Sequence, residues 1–464
     1  MALRKLKHPL QMKILYFPER FFMQALAVME LVFLASFLPE SSSLSGILTL
    51  LPLLVPAVTD FIFSFINGIL IEKLPHPSGK LSFWLAFGAI AGGLLLLPVF
   101  FVSGNVTAAG VLVLLVLSRF SRSLSEAACL TLPAVLTEDE KERSSLSAVS
   151  GAGRAWAFCL LILAGFPFIR GLSTGSVLLP AGFPYICLAC ALLYIVFSLL
   201  LAFSTGKEEK AAASAETADP AVKSGTADGK RPSVKDKVKS IFENGPFIGI
   251  LAADLAYWTI ASLSAGFLLF FFRSLPGYLS SLSLFLAVRA SGSALSVFLY
   301  PVYMKLFGGI KKRVVTVCLV LFAFWNVIFW FGRWNITVFL IGTALFSLLT
   351  GSMHLPFTAL YADAASYGKW KTETAAETLV MPLSAMPEKA GRLIVRIVLP
   401  AVLAAVHYDP ALPAENFTDT FCNSFIMLPA ILSLAICVIF AVGYRLDEDK
   451  ITQMTEEDRK AGKC

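Results

Sequence analysis

Twelve ionisable residues stand inside stretches that are otherwise apolar: Glu30, Asp60, Arg119, Arg122, Glu126, Arg154, Asp254, Arg289, Glu388, Lys389, Arg392 and Arg396. An ionised side chain at mid-bilayer depth costs about 2.5–3.5 kcal/mol or more, so each needs a partner, water or a ligand. The carboxylates could hold a cation or a proton. The arginines and the lysine could hold an anion or a polar cargo. Ion pairs that merely fix helix packing account equally well for any single residue. Taken together, however, seven are cationic and five anionic. A surplus of buried positive charge is tolerable where a cargo or second ion brings negative charge. Arg122 and Glu126 are four apart on one helical face and are expected to pair. Lys389, Arg392 and Arg396 also share a face, where like charges favour a water-filled cavity or a bound anion over lipid.

Other reactive residues do not assemble into an enzyme. The four histidines, His8, His76, His354 and His407, are dispersed. No HExxH, GxSxG or GxxxxGK[ST] run occurs, so zinc hydrolysis, serine hydrolysis and a phosphate loop lack their signatures. Cys187 and Cys190 form a CxxC on an apolar stretch with no histidine or carboxylate beside it, which reads as small core residues. No cofactor and no resident metal is expected.

The elements that carry these charges follow from composition. The chain of 464 residues is 57% apolar and 15% charged, with a mean hydropathy of +0.76. Soluble domains run about 45–50% apolar and about 25% charged, so the surplus here is expected to face lipid. Crossing the hydrocarbon takes about 20 apolar residues in a helix. Candidate spans lie at roughly 21–38, 45–71, 82–103, 106–133, 146–168 and 176–203, then 245–272, 280–307, 314–331, 336–360, 378–406 and 422–443. The basic start and the uninterrupted first span read as an uncleaved helix, not a signal peptide. Between the two sets of six, residues 206–240 are rich in Ala, Lys, Asp and Ser and read as a linker. The expected organisation is a bundle over 1–205, the linker over 206–240, a second bundle over 241–445 and a tail over 446–464. Lysines and arginines concentrate on alternate loops, at Lys5, Lys7, Lys73, Lys80, Lys141, Arg143, Lys305, Lys311, Lys312, Arg313, Lys369 and Lys371, against Arg170, Arg273 and Arg333 on the others. The positive-inside rule then puts both termini in the cytoplasm. The net charge of +7 belongs to this asymmetry and implies no nucleic acid.

Several segments resemble the glycoside–pentoside–hexuronide:cation symporters, the family of the melibiose permease. TDFIFSFINGILIEKLPHPSGKLSFW, from Thr59 to Trp84, is similar to that family's second helix and following loop, with Asp60, Gly68, Gly79, Lys80 and Trp84 on the pattern. ADAASYGKWKTETAAETLVMPLSAMPEKAG, from Ala362 to Gly391, resembles the Tyr-Gly-x-x-Lys-Thr segment before the eleventh helix and the Lys-x-Gly within it. Asp363, Tyr367, Gly368, Lys371, Thr372, Glu377, Lys389 and Gly391 match. TEDEKERSSLS after the fourth span, NGPF at the seventh and YRLDEDKI at the end are shorter echoes. The fold this implies is all-α: a major facilitator fold with 12 transmembrane helices in two six-helix bundles.

The resemblance also implies roles. The coupling cation would sit between the second and fourth helices, on Asp60, with Ser64 where the family has a second carboxylate. Ser125 falls near the carboxylate shared by sugar and cation, with Glu126 adjacent, and Lys389 matches the lysine beside the cation. For the solute, Gln24 falls near the sugar-holding Asp of the first helix, and Glu30 is the next carboxylate there. Cys129 falls near the stacking Trp, and Arg154 lies one turn beyond the position of the sugar-site Arg. Arg122 and Arg392 are further candidate solute ligands. Gly68, Gly79, Lys80, Asp363, Tyr367, Gly368 and Lys371 belong to the gating motifs. The loss of the galactoside residues, together with the cationic surplus, favours an acidic cargo such as a sugar acid.

The expected function is symport of a small polar solute, a sugar, glycoside or sugar acid, with Na⁺ or H⁺ by alternating access. The protein would work as a monomer in the cytoplasmic membrane, with solute, coupling cation and bilayer lipid as its partners. A lysolipid carrier of the same fold and a transport-inactive membrane sensor are the competing readings.

Overall fold

A computed structural model of the chain describes residues 8–41, 51–74, 79–101, 108–137, 140–161, 183–218, 239–274, 282–332, 335–372, 377–405 and 415–444. Long apolar runs with few helix breakers give helices throughout. In order they are α1 (Pro9–Ser41), α2 (Leu51–Lys73), α3 (Lys80–Phe100), α4 (Ala108–Leu136), α5 (Glu140–Leu160), α6 (Phe183–Ala218), α7 (Gly245–Ser274), α8 (Leu282–Leu306), α9 (Lys311–Gly332), α10 (Ile336–Thr350), α11 (His354–Thr372), α12 (Glu377–Leu383), α13 (Met386–Ala405) and α14 (Glu415–Gly443). Seven helices among the described residues are long and apolar enough to cross a membrane. Helices α4, α5 and α13, which carry five of the six arginines singled out above, are not among the seven.

The helices fall into two units. One draws on Met1–Phe247 and Tyr361–Ala385, the other on Ile248–Leu360 and Met386–Arg445. Within the first, α2 packs on α4 and α3 on α6. Within the second, α8 packs on α10 and α9 on α14. The second and fourth spans, and the third and sixth, thus find each other in both halves, as an internal repeat of six spans requires. The loops between the second and third spans of each half repeat as well. Gly79 (φ 103°) precedes α3, and Gly309 (φ 80°) stands two residues before α9, each in a left-handed conformation that a side chain strains.

Three details depart from the sequence reading. First, α1 begins at Pro9, so Glu19 and Arg20 lie within it and not before it. Second, the eleventh span is split, with α12 ending at Leu383 and α13 starting at Met386. Residues 361–385, α12 included, belong to the first unit, where α12 packs on α2 and α4. The tenth span is split likewise at 351–353, where the Ser352 N–H donates to Ser296 Oγ at 3.0 Å and satisfies a backbone group the helix releases. Third, α6 continues to Ala218, through the first part of the expected linker. KEEKAAASAETA is built of strong helix formers, and Glu209 on this extension is buried. Its Oε1 accepts the Leu81 N–H at 2.6 Å, and its Oε2 accepts the Ser82 N–H at 3.0 Å and the Ser82 hydroxyl at 2.8 Å. A carboxylate on the orphan donors of the α3 N-terminus satisfies them and meets the positive end of the helix dipole. Residues 219–238 of the expected linker lie outside the described residues.

Small residues set the helix spacing where backbones approach closely. Ser118 on α4 donates to the Gly92 carbonyl of α3 at 2.7 Å, and Ser125 to the Leu85 carbonyl at 3.1 Å. At Gly153 on α5, a Cβ would stand 2.6 Å from the Phe17 carbonyl oxygen and 3.0 Å from Arg20 Cβ. The aromatic residues of α9 face two ways. Trp325 stacks on Phe346 of α10, while Phe324 and Phe331 are exposed. Gly153→Ala should therefore destabilise the protein by about 1–3 kcal/mol through overpacking of backbone on backbone. Gly245→Ala, where nothing lies within 4 Å of the added carbon, should leave it within about 0.5 kcal/mol. Thermal unfolding of the detergent-solubilised chain compares the two.

Candidate functional site

Two charged clusters are buried in the first unit, and both reach α4 from α1. The first is centred on Glu30. Its side chain is only 1% exposed, and its Oε1 lies 2.6 Å from Arg119 Nε. Its Oε2 accepts from Arg122 Nη2. Arg119 also donates through Nη1 to the Pro56 carbonyl of α2 at 3.2 Å. Asp60 lies one turn beyond Pro56 and interacts electrostatically with the same guanidinium. One carboxylate from α1 and two arginines from α4 thus make a buried group, with the half-buried Asp60 carboxylate of α2 offsetting its surplus positive charge. Two donors on one carboxylate, each charge-assisted, offset the loss of hydration that burial imposes.

The expected pairing of Arg122 with Glu126 is corrected by this geometry, since the Arg122 guanidinium is committed to Glu30. A pair across two packed helices is buried and weakly screened, whereas a pair along one helix face gains only a few tenths of a kcal/mol.

The second cluster was missed in the sequence. Glu19 and Arg20, adjacent on α1, are both fully buried. Arg20 Nε lies 3.5 Å from Glu19 Oε2, and the Cys129 thiol of α4 donates to that same oxygen at 3.2 Å. Tyr16 donates its hydroxyl to the Cys129 carbonyl, and the Arg20 guanidinium lies 6.0 Å from the Tyr16 ring centre. Glu126 of α4 and Arg154 of α5 are the further charges that act on Glu19. Glu19 Oε1, Arg20 Nε and Arg20 Nη2 find no hydrogen-bond partner among the described residues. A buried acceptor and two buried donors, close together and unmet, suit a ligand whose hydroxyls can both give and accept hydrogen bonds. The missing signal was helix length. Glu19 and Arg20 precede the apolar run and look like flanking charges unless α1 is known to start at Pro9.

The remaining predicted residues scatter around these clusters. Ser64 is buried and donates to the Asp60 carbonyl at 3.0 Å within its own helix. With Gly68 it also lines a small recess shared with Ile241, Phe242 and Leu383. Ser125 is fully buried, with its hydroxyl on α3. Gln24 is half-buried on α1. Cys129 and Arg154 join the Glu19 cluster. Gly79 and Lys80 start α3. Asp363, Tyr367, Gly368 and Lys371 all lie on α11, where the Asn244 side chain donates to the Ala364 carbonyl at 2.7 Å and approaches Gly368. Lys389 and Arg392 are on α13, in the second unit, where Arg392 pairs with Glu388 four residues back.

The chain's likenesses agree with this architecture. A family model described as MFS/sugar transport protein matches residues 17–448. The chain is similar to a lactose permease of Leuconostoc lactis (21% identical over 440 residues) and to an isoprimeverose transporter of Lactiplantibacillus pentosus (21% over 329 residues). It covers 66% and 65% of those proteins' lengths, with 91% and 70% of its own, so it spans just under two thirds of each. It is also 21% identical over 418 residues to a putative sulfoquinovose importer of Escherichia coli, with 89% of this chain and 85% of that one covered. Among solved structures it resembles the major facilitator transporter FucP in the outward conformation, with a TM-score of 0.63, 14% identity, and 94% and 99% of the two chains covered. The human organic anion transporter MFSD10 (TETRAN) gives a TM-score of 0.63 at 15% identity, over 94% and 100% of the two chains. At such identity these structures show the fold alone. That fold, with its apolar helices, makes the chain an integral membrane protein.

Removing the negative charge at the centre of the first cluster leaves two guanidiniums facing each other. Glu30→Gln keeps the side-chain shape and should cost about 3–5 kcal/mol, the usual penalty for breaking a buried ion pair. Thermal unfolding, set beside the Gly153→Ala measurement, checks it.

Proposed function

Because the chain belongs to the MFS/sugar transport family, we propose that it is a secondary transporter that moves a small sugar, glycoside or sugar acid by alternating access, in symport with Na⁺ or H⁺. The observation that carries this reading is the fully buried Glu19–Arg20 pair with its unmet donors and acceptor. A packing ion pair is built to use up its hydrogen-bonding capacity, whereas a binding site leaves capacity for the ligand. Glu19 accepts from sugar hydroxyls in this reading, and Arg20 donates to a hydroxyl or to a carboxylate on an acidic cargo. Glu126, Cys129 and Arg154 surround them. Gln24, on the same helix α1, is a supporting position, whereas Arg122 is held by Glu30. The relatives named for lactose, isoprimeverose and sulfoquinovose support a sugar as the cargo class.

Coupling in this reading uses the carboxylates of the first unit, Asp60 and Glu126 among them. The protein acts as a monomer in the cytoplasmic membrane with both termini inside, a placement supported by its basic loops.

The test is uptake by the full chain reconstituted in liposomes, with radiolabelled lactose, isoprimeverose and glucuronate as probes and an imposed inward gradient of Na⁺ or H⁺. At least one probe should accumulate against its gradient. Glu19→Gln, which removes a buried charged acceptor, should cut that uptake about tenfold or more, as losing one charged hydrogen bond does. Accumulation of none of the probes, or full uptake by Glu19→Gln, would refute the assignment.

A further inference from the structure

The oxygens around Arg119 form a set that an alkali cation would accept. The Glu30 carboxylate comes from α1 and the Pro56 carbonyl from α2, and Asp60, one turn beyond Pro56 on α2, acts on the same guanidinium electrostatically. Carboxylates combined with backbone carbonyls are the donors through which membrane transporters hold coupling ions. A guanidinium already occupies this position. Arg119 Nε lies 2.6 Å from Glu30 Oε1, and its Nη1 lies 3.2 Å from the Pro56 oxygen. We propose that Arg119 is a tethered cation seated where a coupling metal ion would have to bind, so that the protein neither binds nor needs Na⁺ there. The inference rests on the transport reading above and removes sodium from its two coupling ions.

Charge balance supports the assignment. Glu30 and Asp60 bring two negative charges, and Arg119 and Arg122 bring two positive ones. An added metal ion would leave the group with net positive charge in an interior that solvates it poorly. Geometry points the same way. The guanidinium is planar and permanently charged, and its separate N–H groups reach acceptors on two different helices at once. A free ion can leave with the solute and so draw on a gradient. A cation on the backbone of α4 cannot leave, so it supplies the charge that holds α1, α2 and α4 together without being consumed in a transport cycle. Glu30 and Arg119 are 1% and 15% exposed, so their contact is largely closed to solvent.

An arginine that only cements helices would leave behind, on removal, a weakened bundle indifferent to the kind of salt. An arginine standing in for a metal ion would leave a vacancy that the ion itself can refill. The experiment compares unfolding temperatures of the full-length, detergent-solubilised chain in NaCl, KCl and choline chloride at equal ionic strength. Wild type should unfold at the same temperature in all three. Arg119→Gln should unfold lower in choline and regain about 3 °C or more in about 100 mM NaCl. Adding Asp60→Asn to it should abolish that gain. A sodium-specific shift in wild type would overturn the proposal, and so would a folded Arg119→Gln protein that is indifferent to sodium. Direct binding of radioactive sodium to wild type needs no variant to fold: bound sodium refutes the proposal, and its absence supports it. None of these readouts requires a solute, so a failure here is distinguishable from a failure of the sugar uptake assay.

Discussion

A carboxylate removed from water must meet positive charge at contact distance or lose its own charge, and Glu30 shows how the first unit meets that demand. Its two oxygens are shared between Arg119 and Arg122, which stand one turn apart on α4. Because the donors come from α4 and the acceptor from α1, the pair fixes how those helices pass each other. The link to the Pro56 carbonyl brings in α2. Three helices are thereby held by one charge cluster that no single helix could form. Hydrophobic packing around it is non-directional and could tolerate a helix rotated by some tens of degrees. The charges cannot, since rotation would strand an ion in a medium that does not solvate it.

The same constraint explains why small residues line the interfaces that carry the charges. Gly92 lets α4 approach α3 at the level of Arg122, and Gly153 lets α5 approach α1 at the level of Arg20. Close backbones leave no room for lipid or for a large apolar side chain beside the ions. The serines that bond across these seams, Ser118 and Ser125, satisfy their hydroxyls on carbonyls of the neighbouring helix. Ser125, which the family resemblance places near the cation, thus also ties α4 to α3. Glu209 applies the same chemistry at the end of a helix, where its carboxylate meets the N–H groups of Leu81 and Ser82 and ties the α6 extension to the start of α3.

The two buried clusters differ in a way that bears on function. Both oxygens of Glu30 accept from a guanidinium, whereas Glu19 Oε1 meets no donor among the described residues, although both carboxylates are sealed from solvent. A saturated cluster holds structure together. An unsaturated one is under-satisfied until something polar enters. That contrast supports the proposed place of the polar cargo at Glu19.

Much of this was legible in the sequence, because it depends on local properties. Hydropathy located the spans, and the motifs around Asp60 and Tyr367 pointed to the family that the match over 17–448 establishes. Apolar length and short-range motifs survive in one dimension because they reflect what each segment requires of its solvent. The choice of partners does not survive there. Glu126 is the neighbour of Arg122 in sequence, yet Glu30, 92 residues away, takes the guanidinium. Glu19 and Arg20 looked like flanking charges until α1 was seen to begin at Pro9. The strength of an ion pair depends on burial and on which helices meet, and only the packed bundle decides those.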